Sequence, residues 1–138
     1  MDCSQLYPFL SQRRLAVLAT TSANGTPESA VMGIAVTPEL EIVFDTLTSS
    51  RKYANLVARP NCSLVVGWED EVTVQIEGIA RAPLGAELRR YQEAYFAVWP
   101  DGRARMSWRN IAYFVVKPHW VRYSNFGSNP PQISEKTY

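Results

Sequence analysis

Apolar residues change their spacing along the chain. Over residues 5–13, Leu6, Phe9 and Leu10 recur at helical intervals with Ser4 placed to cap the first turn, which predicts a short amphipathic helix capping a sheet. From Leu15 onward the segments turn β-rich. Residues 15–21, 28–36 and 40–44 read as strands, separated by Asn24-Gly25 and by Thr37-Pro38-Glu39. Asn-Gly between two such runs is the strongest short hairpin signal, so the three strands are expected to form an antiparallel meander. Residues 62–67 and 72–80 flank the polar Trp68-Glu69-Asp70-Glu71. Val72, Val74 and Ile76 alternate there with Thr73, Gln75 and Glu77, as in a hairpin with one polar face. Residues 111–116 and 120–123, divided by Lys117-Pro118, predict a third extended pair.

Two further segments are helical. Leu84, Leu88, Tyr91 and Tyr95 fall at i, i+4, i+7 and i+11 between Pro83 and the Pro100-Asp101-Gly102 turn, a stripe suited to core packing. Residues 51–58 follow the capping candidates Thr48, Ser49 and Ser50, stop before Pro60, and carry a narrow apolar stripe of Tyr53, Leu56 and Val57. From Ser124 the chain, including Asn129-Pro130-Pro131, loses periodicity and is expected to be an extended or partly disordered tail. Six or seven antiparallel strands in 138 residues point to a mainly β fold, a single domain built as a closed or partly open barrel of Greek-key type.

Composition narrows the function. Fourteen Lys and Arg against thirteen Asp and Glu leave a net charge of +1, without the basic face that nucleic-acid binding requires. No apolar run approaches the roughly 18 residues of a membrane helix, and Met1-Asp2-Cys3-Ser4-Gln5 lacks a basic segment followed by an apolar stretch, so a soluble cytoplasmic protein is expected. Cys3 and Cys62 read as free thiols in a reducing compartment. His119 is the lone histidine and follows a proline; it reads as a turn residue, and no metal site is expected. Neither common glycine-rich phosphate loop occurs, so a bound phosphate would need another cradle.

One helix start departs from a local rule. A helix N-terminus carries about half a positive charge and favours acids, yet the 51–58 segment opens with Arg51 and Lys52. With the hydroxyls of Thr46, Thr48, Ser49 and Ser50 and the free N–H groups of a first turn, these cations describe a phosphate-monoester site. Two other readings stand beside it: a solvated helix start, and ion pairs of the two cations with Asp45 or Glu69.

The string 44–60, with Thr46, Ser50, Arg51 and Lys52, resembles the strand-to-helix segment of the pyridoxamine-phosphate-oxidase-like, FMN-binding split-barrel family. So, in order and spacing, do Leu15-Ala16-Val17-Leu18-Ala19-Thr20 with Asn24-Gly25-Thr26-Pro27, then 73–80, then 117–124. The resemblance implies that Ser50, Arg51 and Lys52 hold the flavin phosphate and that Thr46 contacts the flavin or its ribityl chain. Ala30, Val31 and Met32 would lie along the isoalloxazine, read by backbone groups. Thr73, Trp108 and Arg122 are implied as further flavin contacts, the last two across a dimer interface. Many relatives carry an Arg on the 28–36 strand; Ser29 and Ala30 stand there instead, implying a weaker hold on FMN. True pyridoxamine-phosphate oxidases end in a basic, histidine-containing segment that has no match in Ser128-Asn129-Pro130-Pro131-Gln132. The resemblance therefore implies an FMN-dependent oxidoreductase or flavin reductase, a homodimer using a small electron donor or acceptor such as NAD(P)H, with no catalytic side chain identified. A deazaflavin reductase, a non-catalytic flavin-binding or stress-related protein, and a relative that lost its cofactor are the alternatives.

Overall fold

A computed structural model describes residues 3–138, with side chains from Gln5 onward; the proposed cap Ser4 and the thiol of Cys3 lie outside the described side chains. Strands β1 (Leu15–Thr21) and β2 (Pro27–Gly33) pair antiparallel across the Asn24-Gly25 turn, where Gly25 takes a φ of 84°. That left-handed value is the reason for glycine there. The expected strand 28–36 is two strands: after an interruption at Ile34, β3 (Ala35–Val36) pairs with β4 (Ile42–Leu47). The interruption is anchored on both sides. Ile34 N–H donates to the Arg14 carbonyl at 2.9 Å, and Trp99 Nε1 donates to the Ile34 carbonyl at 3.0 Å. A Cβ at residue 33 would stand 2.8 Å from the Trp99 ring, so Gly33 admits that ring. Leu40, assigned to a strand from its apolarity, sits instead in the turn at φ 65°, between Thr37 and Glu41, which bond each other across it.

Strands β5 (Asn61–Val66), β6 (Val72–Arg81), β7 (Ile111–Asn125) and β8 (Gln132–Thr137) complete the sheet, in the order β2-β1-β5-β6-β7-β4-β3, with β8 added on β7. Since β2 and β3 end that path yet adjoin in sequence, the sheet curls back on itself, the expected split barrel. The third extended pair is corrected. Residues 111–116 and 120–123 belong to one strand, and the register slips opposite Glu77 and Gly78, leaving His119 as the extra residue of a bulge. A Cβ on Gly78 would lie 2.6 Å from the Lys117 carbonyl oxygen, so the glycine lets the two backbones meet there. Pro118 is tolerated because its other edge falls between two partners, β4 along 111–116 and β8 along 120–125. The tail is extended as expected but paired, Arg122 standing opposite Glu135.

Helix α1 (Cys3–Ser11) ends two residues earlier than its apolar pattern suggests and buries Leu6 and Leu10 in the barrel core with Leu18, Ile42, Phe44, Leu64, Ile76 and Phe114. Helix α2 (Arg51–Ala58) has the expected bounds; helix α3 (Gly85–Val98) leads into a 3-10 helix (Pro100–Ser107) where only a turn was expected. The pleat of β4 serves two layers: Phe44 points into the barrel, while Val43 packs with Ala35, Tyr113 and Val115 against Tyr91, Tyr95 and Phe96 of α3. Leu84, the first residue of the predicted α3 stripe, is exposed.

Candidate functional site

The alternation that puts Phe44 inside also turns Thr46 inward, and its Oγ1 lies 2.9 Å from Ser50 Oγ. Ser50 caps α2, its Oγ accepting from the Tyr53 N–H at 3.3 Å. With two of the four orphan donors satisfied, Ser50 N–H by the Leu47 carbonyl at 3.0 Å and Tyr53 N–H by Ser50 Oγ, the N–H groups of Arg51 and Lys52 keep no partner within the helix. Tyr53 rests on Phe114, ring centroids 5.9 Å apart, and Leu56 is buried, fixing the helix on the barrel. The apolar stripe is corrected at one position: Val57 is exposed and the polar Asn55 is buried in its place.

Asn55 is buried because it has partners. Its Nδ2 donates to Thr20 Oγ1 at 2.9 Å and to Glu28 Oε1 at 2.8 Å. The second oxygen of Glu28 lies 3.0 Å from Arg51 Nη1, with side-chain exposures of 16% for the glutamate and 76% for the arginine. Of the three readings of this helix start, the ion-pair one is corrected in its partner: Arg51 pairs with Glu28, not with Asp45 or Glu69. Asp45, on the outward side of β4, faces Arg105 and Tyr95. The acid that the first turn of α2 lacks arrives from strand β2.

Between β2 and the start of α2 runs a groove of about 110 Å³ lined by Leu18, Thr20, Glu28, Ser29, Ala30, Arg51 and Lys52. Ala30 and Val31 are exposed, Val31 at 63%, while Met32 packs partly against the core. Among the described residues strand β2 pairs only with β1, so the backbone groups of its other edge are unpaired in the sheet. The fold thus gathers Ala30, Arg51 and Lys52 in one groove, with Thr46 and Ser50 supporting its helical wall. Thr73, Trp108 and Arg122 do not line it. Thr73 stands opposite Ser124 on β6, Trp108 is exposed beyond the 3-10 helix, and Arg122 Nε lies 3.3 Å from Glu135 Oε1, an ion pair without an aligned hydrogen bond.

Residues 4–125 match the model of the pyridoxamine 5'-phosphate oxidase family. The chain belongs to that family. A pyridoxine/pyridoxamine 5'-phosphate oxidase of Cupriavidus metallidurans is 29% identical over 131 residues, covering 89% of this chain and 60% of that protein. One from a Nocardioides species is 37% identical over 101 residues, covering 72% and 46%. The chain thus spans about 60% or less of the length of these curated relatives. Among solved structures, a haem-binding protein from Mycobacterium smegmatis superposes with a TM-score of 0.85 at 16% identity, over 99% of this chain and 58% of that one. A pyridoxamine 5'-phosphate oxidase-related, FMN binding protein from Nostoc punctiforme gives 0.67 at 15%, over 99% and 92%. General stress protein 26 from Bacillus anthracis gives 0.71 at 20%, over 99% and 100%. These structures share the split-barrel fold.

Glu28, Thr20 and Asn55 are the site residues that sequence reasoning missed. The available signal was a mismatch of pattern. Glu28 stands opposite Thr20 and shares a face with Ala30, opposite Leu18, so an acid sits beside the buried row of β1. Asn55 lies one residue before buried Leu56, on the face of α2 that meets the sheet. A buried Asn55 and a half-buried Glu28 that face each other are natural partners, because the amide would be costly to bury alone.

Proposed function

We propose that the chain binds FMN, its phosphate at the start of α2 and its ring along the open edge of β2, and works as a flavin-dependent reductase in a homodimer. The carrying observation is the α2 start itself. A Ser50-capped helix presents two unclaimed N–H groups, Lys52 and an arginine that is 76% exposed with a single carboxylate on Nη1, beside an unpaired strand edge. These donors fit a phosphate monoester, and the guanidinium keeps further N–H groups to offer it. Arg51, Lys52 and the first-turn N–H groups would hold the phosphate, and the backbone of Ala30, Val31 and Met32 would orient the ring. A bound flavin supplies hydride and electron transfer; the chain supplies position and a charged cradle. Thr73, Trp108 and Arg122 are proposed contacts of a flavin shared between protomers, which is the role left to Trp108 as an exposed aromatic.

A second reading, oxidation of a vitamin B6 phosphate, is favoured by the names of the curated relatives. Reconstitution separates them. FMN should turn the protein yellow, NADH or NADPH should bleach it without oxygen, and calorimetry should show FMN binding far more tightly than riboflavin. Light scattering should give about twice 15.6 kDa. Bleaching by pyridoxine or pyridoxamine phosphate, with no response to nicotinamides, would select the second reading. Equal affinity for FMN and riboflavin would remove the phosphate site. An unbleachable flavoprotein would be a carrier, and spectral changes with a deazaflavin alone would reassign the cofactor.

A further inference from the structure

We propose that Glu28 is a built-in competitor for the anion site of α2: its carboxylate holds Arg51 when no phosphate is present, and an incoming phosphate must take the arginine from it. The inference rests on the phosphate reading of the site and adds a residue that sets its affinity. Glu28 is held from the interior. Buried Asn55 is fixed by Thr20 Oγ1 at 2.9 Å and presents its amide to Glu28 Oε1 at 2.8 Å, so the carboxylate is positioned by the sheet rather than left to drift in solvent. Arg51 is the solvated partner, and a side chain 76% exposed can change partners without being desolvated.

Glu28, Arg51 and Lys52 line the same groove of about 110 Å³, so an anion entering there comes close to the carboxylate. Ser29 and Ala30, next along β2, bring no cation to offset that repulsion. The first turn of α2 has no acid of its own, and Glu28 supplies the negative charge that the helix start favours. A bound phosphate would do the same job, so the two anions compete for one arginine and one helix end.

The test replaces Glu28 with Gln, which keeps a carbonyl oxygen for the Asn55 amide and drops the charge. Calorimetry with FMN and riboflavin, and thermal shifts with inorganic phosphate, are run on the natural chain and on Glu28→Gln; Glu28→Ser takes over if the glutamine variant does not fold. FMN should bind the variant about tenfold tighter, in keeping with removal of one nearby like charge, while riboflavin stays unchanged. Inorganic phosphate should raise the melting temperature of the variant more than that of the natural chain. Unchanged or weaker FMN binding by the variant overturns the proposal and leaves the flavin reading standing. A phosphate response in the variant without FMN binding in either protein keeps the competitor and discards the flavin. No response to either ligand in either protein discards both.

Discussion

Two of the carboxylate–arginine pairs, Asp45–Arg105 and Glu28–Arg51, have surroundings that give them different work. Asp45 of β4 and Arg105 of the 3-10 helix are 11% and 25% exposed and meet at 3.0 Å, and Tyr95 Oη of α3 also donates to Asp45 at 3.1 Å. Glu28 and Arg51 meet at the same 3.0 Å, but the arginine is about three-quarters exposed. The distance is equal and the consequence is not. A pair enclosed with a third partner fastens two layers together, whereas a pair with one solvated member exchanges freely and contributes little to stability.

The largest expected effect breaks the closed pair. Asp45→Ala leaves Arg105 and the Tyr95 hydroxyl facing each other without their shared acceptor, and should lower unfolding free energy by about 2–4 kcal/mol in urea titrations. A loss under about 1 kcal/mol would show that this cluster is no more structural than the open one.

Removing both cations of the open side acts on function instead. Arg51→Ala with Lys52→Ala should weaken FMN binding about a hundredfold by calorimetry, from the loss of charge-assisted phosphate contacts. Stability of the ligand-free protein should hold within about 0.5 kcal/mol, because losing an exposed ion pair and relieving two cations at a helix N-terminus have opposite signs. A clear fall in stability with FMN binding intact would make Arg51 a structural residue.

Double-mutant cycles sharpen the contrast directly. The Asp45–Arg105 coupling should be about 1.5–3 kcal/mol and insensitive to added salt. That of Glu28–Arg51 should be about 0.2–1 kcal/mol and shrink as salt rises. Equal couplings would erase the distinction.

The smallest effect is a pH dependence. Burial, and then the Asp45 carboxylate, push the Tyr95 phenol above its ordinary value near 10. A raised folded-state value means the unfolded chain loses the proton first, so the stabilisation is complete below about pH 10 and declines above it. Burial raises Tyr91 and Tyr113 in the same direction, so Tyr95→Phe should flatten only part of that decline, read from urea midpoints between about pH 8 and 11. An unchanged slope would remove Tyr95 from the closed cluster.

Local chemistry was legible in the sequence. Helix α2 kept its bounds because Ser50 and Pro60 act within a turn of their own position, and the Asn24-Gly25 hairpin formed because its left-handed turn depends on one glycine. Thr46, Ser50, Arg51 and Lys52 could be grouped because they are neighbours along the chain. Pro118 misled because a proline's cost in a strand depends on what lies beside its missing N–H, and here that edge falls between β4 and β8. The tail misled likewise, since a polar strand such as β8 is fixed by pairing rather than by its own apolar period.

Glu28 and Asn55 mark the boundary. Sequence by itself determined that the helix would begin with two cations lacking an acid, since that is a matter of adjacent residues. Only the tertiary structure decided which acid would answer them. Glu28 reaches Arg51 because β2 pairs with β1, which sets Thr20 beside Glu28, while α2 packs its buried Asn55 against both. A contact between segments distant in sequence depends on register and packing together, and neither is written in the residues that make it.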